Sequence, residues 1–217
     1  MALLDIVIDV SHHQGGAIAW QSVAQAGIAV AMVKATEGVN VTDEFFHRNL
    51  REATRFGIRV IPYHFTTNDD VGDQIDHFTS VAGLKAGMAY ALDWEGHRTF
   101  DAGDFEQMGR RLTDTFRRKP LAYFGIPGSG SLPAPPTQAI LGWDRWVPRF
   151  RVKFPPGVAD FSEMPEGLRS PELDRPFLFW QYTDHGRVAG INGRVDRSVA
   201  QFDTKEQLIQ WFERGGQ

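Results

Sequence analysis

Residues Ala29–Phe65 read AVAMVKATEGVNVTDEFFHRNLREATRFGIRVIPYHF. The stretch opens on an apolar run, Ala29–Ala35, and closes on another, Arg59–Phe65, both rich in β-branched residues. Between them, Phe46, Leu50 and Ala53 recur at three- and four-residue spacing within Asp43–Phe56, which places them on one face of a helix. Gly57 follows where a helix end favours glycine. A strand, a helix and a second strand in this order make a unit whose strands lie parallel with the helix outside.

The same alternation runs outward in both directions. Further apolar runs stand at Ile6–Val10, Met88–Glu95, Leu121–Phe124, Arg145–Pro148, Phe177–Tyr182 and Gly193–Asp196. Helical periodicity marks Trp20–Ala26, Asp70–Ala82, Phe105–Arg118 and Lys205–Arg214, with Gly27 and Gly83 as further stops. Asp43 and Asp101 stand where caps belong. Ile126–Gln138 and Pro155–Pro176 are too rich in Gly, Pro and Ser to supply good helices, and Gly128-Ser129-Gly130 reads as a flexible turn. The expectation is α/β: an irregular (β/α) TIM-like barrel of about eight strands with fewer than eight helices, formed by residues 1–217 as one domain.

Composition narrows the function. The 217 residues carry 23 Lys+Arg against 27 Asp+Glu, a net charge of −4 that gives no support for nucleic acid as a partner. No run approaches the roughly 18–20 uninterrupted apolar residues of a membrane span. There is no cysteine, so disulfides, thiolate metal sites and cysteine nucleophiles are excluded. The opening MALLDIVIDVSHH lacks a basic leader, and Asp5 and Asp9 break its apolar run, so it does not read as a secretory signal. A protein acting outside the cytosol would then leave by lysis, by a secretion machine or after loss of a signal. A monomer is the default expectation. No phosphate-binding glycine loop and no G-x-S-x-G elbow is present.

In such barrels chemistry collects at the C-terminal ends of the strands. Those ends carry Asp9-Val-Ser11-His12-His13-Gln14, Lys34-Ala-Thr36-Glu37, Tyr63-His64-Phe65, Asp93-Trp94-Glu95, Trp180-Gln181-Tyr182 and Asp196. Asp93 and Glu95 are the sharpest pair. Side chains at i and i+2 of a strand share a face roughly 6.5–7 Å apart. Two carboxyls this close repel, and one retains its proton near neutral pH. A protonated acid beside an ionised one is what cleavage of a glycosidic bond requires. Asp9 on the first strand and Asp196 on the last become neighbours when the barrel closes, which brings four acids to one rim. Trp94 alternates away from its acidic neighbours and reads as core. Tyr63, Phe65, Trp143, Trp146, Trp180 and Tyr182 flank the same strand ends, where flat rings suit the faces of sugars. His12, His13 and His64 invite a metal site with Asp9 and Asp93. The adjacent pair points opposite ways on an extended chain, however, and no H-E-x-x-H helix is present, so no metal or other cofactor is expected.

The ordered set of motifs resembles the glycoside hydrolase family 25 lysozymes, N-acetylmuramidases that cleave peptidoglycan. The residues that carry the resemblance are Ile8-Asp-Val-Ser-His-His-Gln-Gly15, Ile18-x-Trp20, Val33-Lys-Ala-Thr-Glu-Gly38, Asp43-x-x-Phe46-x-x-Asn49, Tyr63-His-Phe65, Leu92-Asp-Trp-Glu95, Trp180-Gln-Tyr-Thr183, Gly190-Ile-x-Gly193 and Val195-Asp196. The resemblance implies Glu95 as general acid, with Asp9, Asp93 and Asp196 as supporting carboxylates. It implies Tyr63 beside the scissile sugar. Lys34, His64, Trp180, Gln181 and Tyr182, at the same strand ends, are expected around the substrate. The implied substrate is the bacterial cell wall, cut at the β-1,4 bond from N-acetylmuramic acid to N-acetylglucosamine. Two routes stay open: Asp9 as nucleophile or base, or attack by the substrate's own N-acetyl group oriented by Asp93 or Asp196.

Departures are visible too. Members of the family often carry Trp-x-Ala-x-Tyr on the sixth strand, where this chain has Trp146-Val-Pro-Arg-Phe150. Gly125–Pro136 is unlike the usual connection, so the cleft wall is expected to differ. Many members carry wall-binding modules after the barrel. None follows through Gln217, which leaves wall affinity to the cleft or to a partner. Two other readings are a catalytically weak wall-binding barrel and a hydrolase of chitin-like polymers. The second would want acids near Ala89 and Ala91.

Overall fold

A computed structural model of the chain describes residues 2–95, 101–125, 135–150, 158–171 and 176–213. Its strands are β1 (Leu3–Val10), β2 (Val30–Glu37), β3 (Val41–Thr42), β4 (Arg59–Phe65), β5 (Ala91–Asp93), β6 (Leu121–Tyr123), β7 (Asp144–Pro148), β8 (Phe179–Gly186) and β9 (Val195–Gln201). The helices are α1 (Trp20–Gln25), α2 (Phe46–Arg55), α3 (Val71–Ala82), α4 (Ala102–Phe116), α5 (Gln138–Leu141) and α6 (Lys205–Glu213). The strands pair in the order β1-β9-β8-β7-β6-β5-β4-β2, and β1 pairs with β2 to close an eight-stranded barrel, with β3 as a short hairpin edge on β2. The expected irregular barrel with fewer helices than strands is therefore present. Among the described helices, none is long and apolar enough to cross a membrane. The Gly128–Gly130 turn, most of the 126–138 loop, residues 155–157 and 172–175 of the 155–176 loop, and Arg214 lie outside the described residues.

Local chemistry explains the element boundaries. Asp101 caps α4 as expected, accepting from the Gly103 and Asp104 N–H groups, while Asp104 reaches back to the Asp101 N–H. Asp43 acts one turn earlier than a cap of α2: its carboxylate accepts from the N–H groups of His12 and Phe45, tying the first rim loop to the third. Gly83 ends α3 in the left-handed region at φ 61°, a conformation that a side chain disfavours.

Strand periodicity divides the core. Val7, Val30, Met32, Ile61, Ala89, Ala91, Leu121, Phe179 and Ala200 fill the barrel interior. Their neighbours Ile8, Ala31, Val33, Val60, Leu92 and Ala122 face outward against the helices. Trp94 is fully buried in that outer layer and stacks on Phe105 of α4 at 5.1 Å. The Trp94 expectation holds for the reason given: alternation sends it away from Asp93 and Glu95.

One strand departs from expectation. The last strand does not end near Asp196 but starts at Val195, and it runs antiparallel to both β8 and β1. Asp196 still reaches the same rim, because a reversed strand presents its beginning where its neighbours present their ends. Among the described residues no α-helix covers β8 and β9. The segment from Val158 to Leu168 lies there instead, burying Val158 and Met164 against Trp180, Tyr182 and Val199. Arg197 fastens it. Its guanidinium donates to Asp5 at 2.6 Å and to Asp160 at 3.0 Å, and also to the carbonyls of Ala159 and Arg187. Asp5 also accepts from the Phe161 N–H and the Tyr182 hydroxyl. Removing one partner of a buried pair strands the other charge. Arg197→Met should therefore lower stability by about 3 kcal/mol, read as a shift of the urea unfolding midpoint at pH 7.

Candidate active site

The rim holding the parallel strands' C-terminal ends opens into a cavity of about 360 Å³. Asp9, Lys34, Tyr63, Asp93, Glu95, Tyr123, Trp146, Gln181 and Asp196 line it, with Ser11, His13 and Gln14 at its edge. Each strand-borne member sits on the inward phase of its strand. The four acids expected at one rim are brought together.

Register sets the arrangement. Asp9 of β1 stands directly opposite Asp196 of β9, and Asp93 of β5 pairs with Phe65 on one side and Tyr123 on the other. Like charges directly opposite on neighbouring strands repel. The Gln181 amide offsets that repulsion, its Nε2 donating to Asp9 Oδ2 at 2.9 Å and to Asp196 Oδ2 at 3.2 Å. Its Oε1 accepts from the Tyr123 hydroxyl at 2.9 Å. Lys34 is a buried cation, and its Nζ lies 2.6 Å from Glu37 Oε2. The β2 register slips between Lys34 and Thr36, which returns Glu37 to the side of the strand that Lys34 occupies. Asp93 Oδ1 is buried and has no hydrogen-bond partner among the described residues.

Burial governs the proton affinities. Desolvation pushes the Asp93 carboxyl well above the usual carboxylate range, and the neighbouring Glu95 charge pushes it further, against the pull of Lys34. Burial also raises Glu95, with Lys34 opposing. Asp9 is raised well above normal by burial and by Asp196, and Asp196 is raised to about 6 by burial and by Asp184. Such coupled acids titrate as sets rather than singly. Tyr63 and Tyr123 are raised as well, chiefly by burial, and stay neutral.

The sequence profile of the glycosyl hydrolases family 25 matches residues 8–126. The chain belongs to that family. It is 30% identical over 211 residues to Lysozyme M1 of Streptomyces globisporus, an alignment covering 88% of this chain and 66% of that protein. It is 23% identical over 190 residues to the autolytic lysozyme of Clostridium acetobutylicum, covering 87% of this chain and 53% of that one. The chain thus spans 66% and 53% of these relatives' lengths. The crystal structure of the bacterial lysozyme from Streptomyces coelicolor matches over the full length of both chains, with a TM-score of 0.75 at 26% identity.

Three of the residues expected around the substrate lie elsewhere. Trp180 and Tyr182 flank the inward Gln181, so both point out of the barrel. The Trp180 indole N–H donates to the Arg149 carbonyl, and the Tyr182 hydroxyl donates to Asp5, under the 158–168 segment. His64 alternates outward from Tyr63. It is fully buried, bridges Thr36 Oγ1 at 2.8 Å and Gln74 Oε1 at 3.1 Å, and burial lowers its pKa to about 4. The neutral ring therefore donates from Nε2 and accepts at Nδ1. His64 thus stands apart from His12, which pairs with Asp43, and from His13 at the cleft edge. Tyr123 went unnoticed in the sequence because its run carries no acid; its even spacing from inward Leu121 was the available signal.

A carboxyl raised in the folded state binds its proton more tightly than the unfolded chain does. Its contribution to stability is present below the unfolded value of roughly 3.9 and is lost as the pH rises through the folded one. Asp196→Asn should therefore gain stability relative to the parent as the pH rises from 4 through 6. The gap should reach on the order of 1–2 kcal/mol at neutral pH, as read by thermal unfolding across that range.

Proposed function

We propose that this family 25 chain is a peptidoglycan hydrolase, a lysozyme that cleaves the β-1,4 bond between N-acetylmuramic acid and N-acetylglucosamine. The observation that carries this reading is the placement of Asp93 and Glu95 on one face at the mouth of a cleft shared with Asp9, Asp196 and Tyr63. Glu95 is the more solvent-accessible member of its couple and delivers the proton to the leaving glycosidic oxygen. Positive charge then develops at the anomeric carbon, and the carboxylates around it are held ready in a poorly hydrated site. Asp93 Oδ1 is the acceptor left for the N–H of the sugar's N-acetyl group, which it orients toward that carbon. Water completes the hydrolysis and yields a reducing N-acetylmuramic acid end. Tyr63 lines the sugar's path, and Lys34, restrained by Glu37, sets the charge beside the Asp93–Glu95 couple. The barrel acts as a single catalytic unit at the bacterial cell wall, with peptidoglycan as its partner and no cofactor.

The test is digestion of purified peptidoglycan, with the new reducing ends identified by mass spectrometry. The parent should release N-acetylmuramic acid ends, and Glu95→Gln should reduce release by at least about 10²-fold while leaving the fold intact. Release of N-acetylglucosamine ends, or activity on chitin alone, would overturn the assignment. Full activity of Glu95→Gln would overturn the role given to Glu95.

A further inference from the structure

A carboxamide offers two N–H donors and one carbonyl acceptor. At Gln181 all three are committed: both donors to carboxylates, the acceptor to Tyr123. The side chain is 2% exposed. It has no remaining donor for a sugar, although it stands among the acids.

The Tyr123 hydroxyl fixes which way this amide faces. Its single O–H donates to Oε1, so Nε2 must face Asp9 and Asp196. The opposite orientation would aim Oε1 at two carboxyl groups and leave the phenol facing an N–H. The Tyr123 ring is itself immobilised. It packs against Trp146 at 4.4 Å, and the Trp146 indole N–H donates to Ser198 Oγ at 3.1 Å. A chain of contacts therefore runs from Ser198 of β9 through Trp146 of β7 and Tyr123 of β6 to Gln181 of β8. It ends on Asp9 of β1 and Asp196 of β9. Tyr123 is also the register partner of Asp93, so the phenol stands between the two acid couples.

We propose that Tyr123 and Gln181 are positioning residues that act as one unit: the phenol orients the amide, and the amide holds Asp9 and Asp196 together and sets the pH at which they share a proton. Gln181 is thereby removed from the set of sugar contacts. This rests on the hydrolase reading for its effect on rate but not for its effect on the carboxyls. The other charged or titratable groups around the couple are Lys34 and Glu37 on β2, Tyr63 on β4, Asp93 and Glu95 at β5, Asp184 and His185 on β8, and His13 at the rim. None of them bonds to the Gln181 amide among the described residues.

The experiment titrates the carboxyl carbons of Asp9 and Asp196 by NMR in the parent, in Tyr123→Phe, in Gln181→Met and in the double variant. The pH profile of peptidoglycan cleavage is followed alongside. Gln181→Met keeps the volume and removes both donors, so the couple should titrate about one pH unit higher. Tyr123→Phe removes one oxygen and keeps the ring, and should move the titration in the same direction. The double variant should match Gln181→Met alone, because a phenol without its amide has nothing to orient. In an active enzyme the acid limb of the rate profile should move with the titration. Parent-like titration in Tyr123→Phe, or a double variant that shows the sum of the two single shifts, would overturn the proposal. A parent that fails to cleave peptidoglycan while the carboxyls still show the coupled shift would overturn the hydrolase reading and leave the relay standing.

Discussion

Four carboxyl groups sit at one end of a barrel whose interior below them is largely hydrocarbon. That placement opposes folding, because each ionised group loses water and each repels the others. Much of the local structure answers it. The Gln181 amide bridges the most directly opposed pair, and Lys34 lies beside the other couple. The strand slip at Lys34 brings Glu37 back to restrain that cation. Below the acids, Val7, Met32, Ile61 and Ala91 supply the apolar burial that makes such a rim tolerable. The same desolvation that weakens the fold raises proton affinity, which an acid catalyst working near neutral pH requires.

Most of the barrel was legible because it rests on a period. Alternation placed Asp93 and Glu95 inward and Trp94 outward, and the three- to four-residue stripe of Phe46, Leu50 and Ala53 became the buried side of α2. The misplaced residues arose where that rule was not carried through. Once Gln181 is taken as inward, Trp180 and Tyr182 must face out; the same holds for His64 beside Tyr63. Chemistry suited to sugars drew them toward the cleft, and strand geometry decided otherwise. The direction of the last strand had a signal as well. A parallel crossover needs a dozen residues or more, and only eight separate Gly186 from Val195. The role of Tyr123 was not legible, because it depends on which side chain stands across the barrel.

The wall over β8 and β9 shows a different solution to covering a sheet. Where the other side of the barrel uses helices, this one uses an irregular segment held by Arg197, Asp5 and Asp160 together with Trp180 and Tyr182. The two aromatics expected at the cleft instead anchor its outer support.

The reversed direction of β9 also decides where the first and last described elements lie. Leu3 pairs with Gln201 at the far end of the barrel from Asp9 and Asp196. Helix α6 then packs Leu208, Trp211 and Phe212 against that floor, and Arg118 holds the Trp211 and Phe212 carbonyls. Both ends of the fold therefore emerge behind the cleft. A fusion joined at either end would therefore stand clear of the cleft's open face. The floor of the barrel and its open face are thus separate surfaces, one closed by α6 and the other lined by the acids.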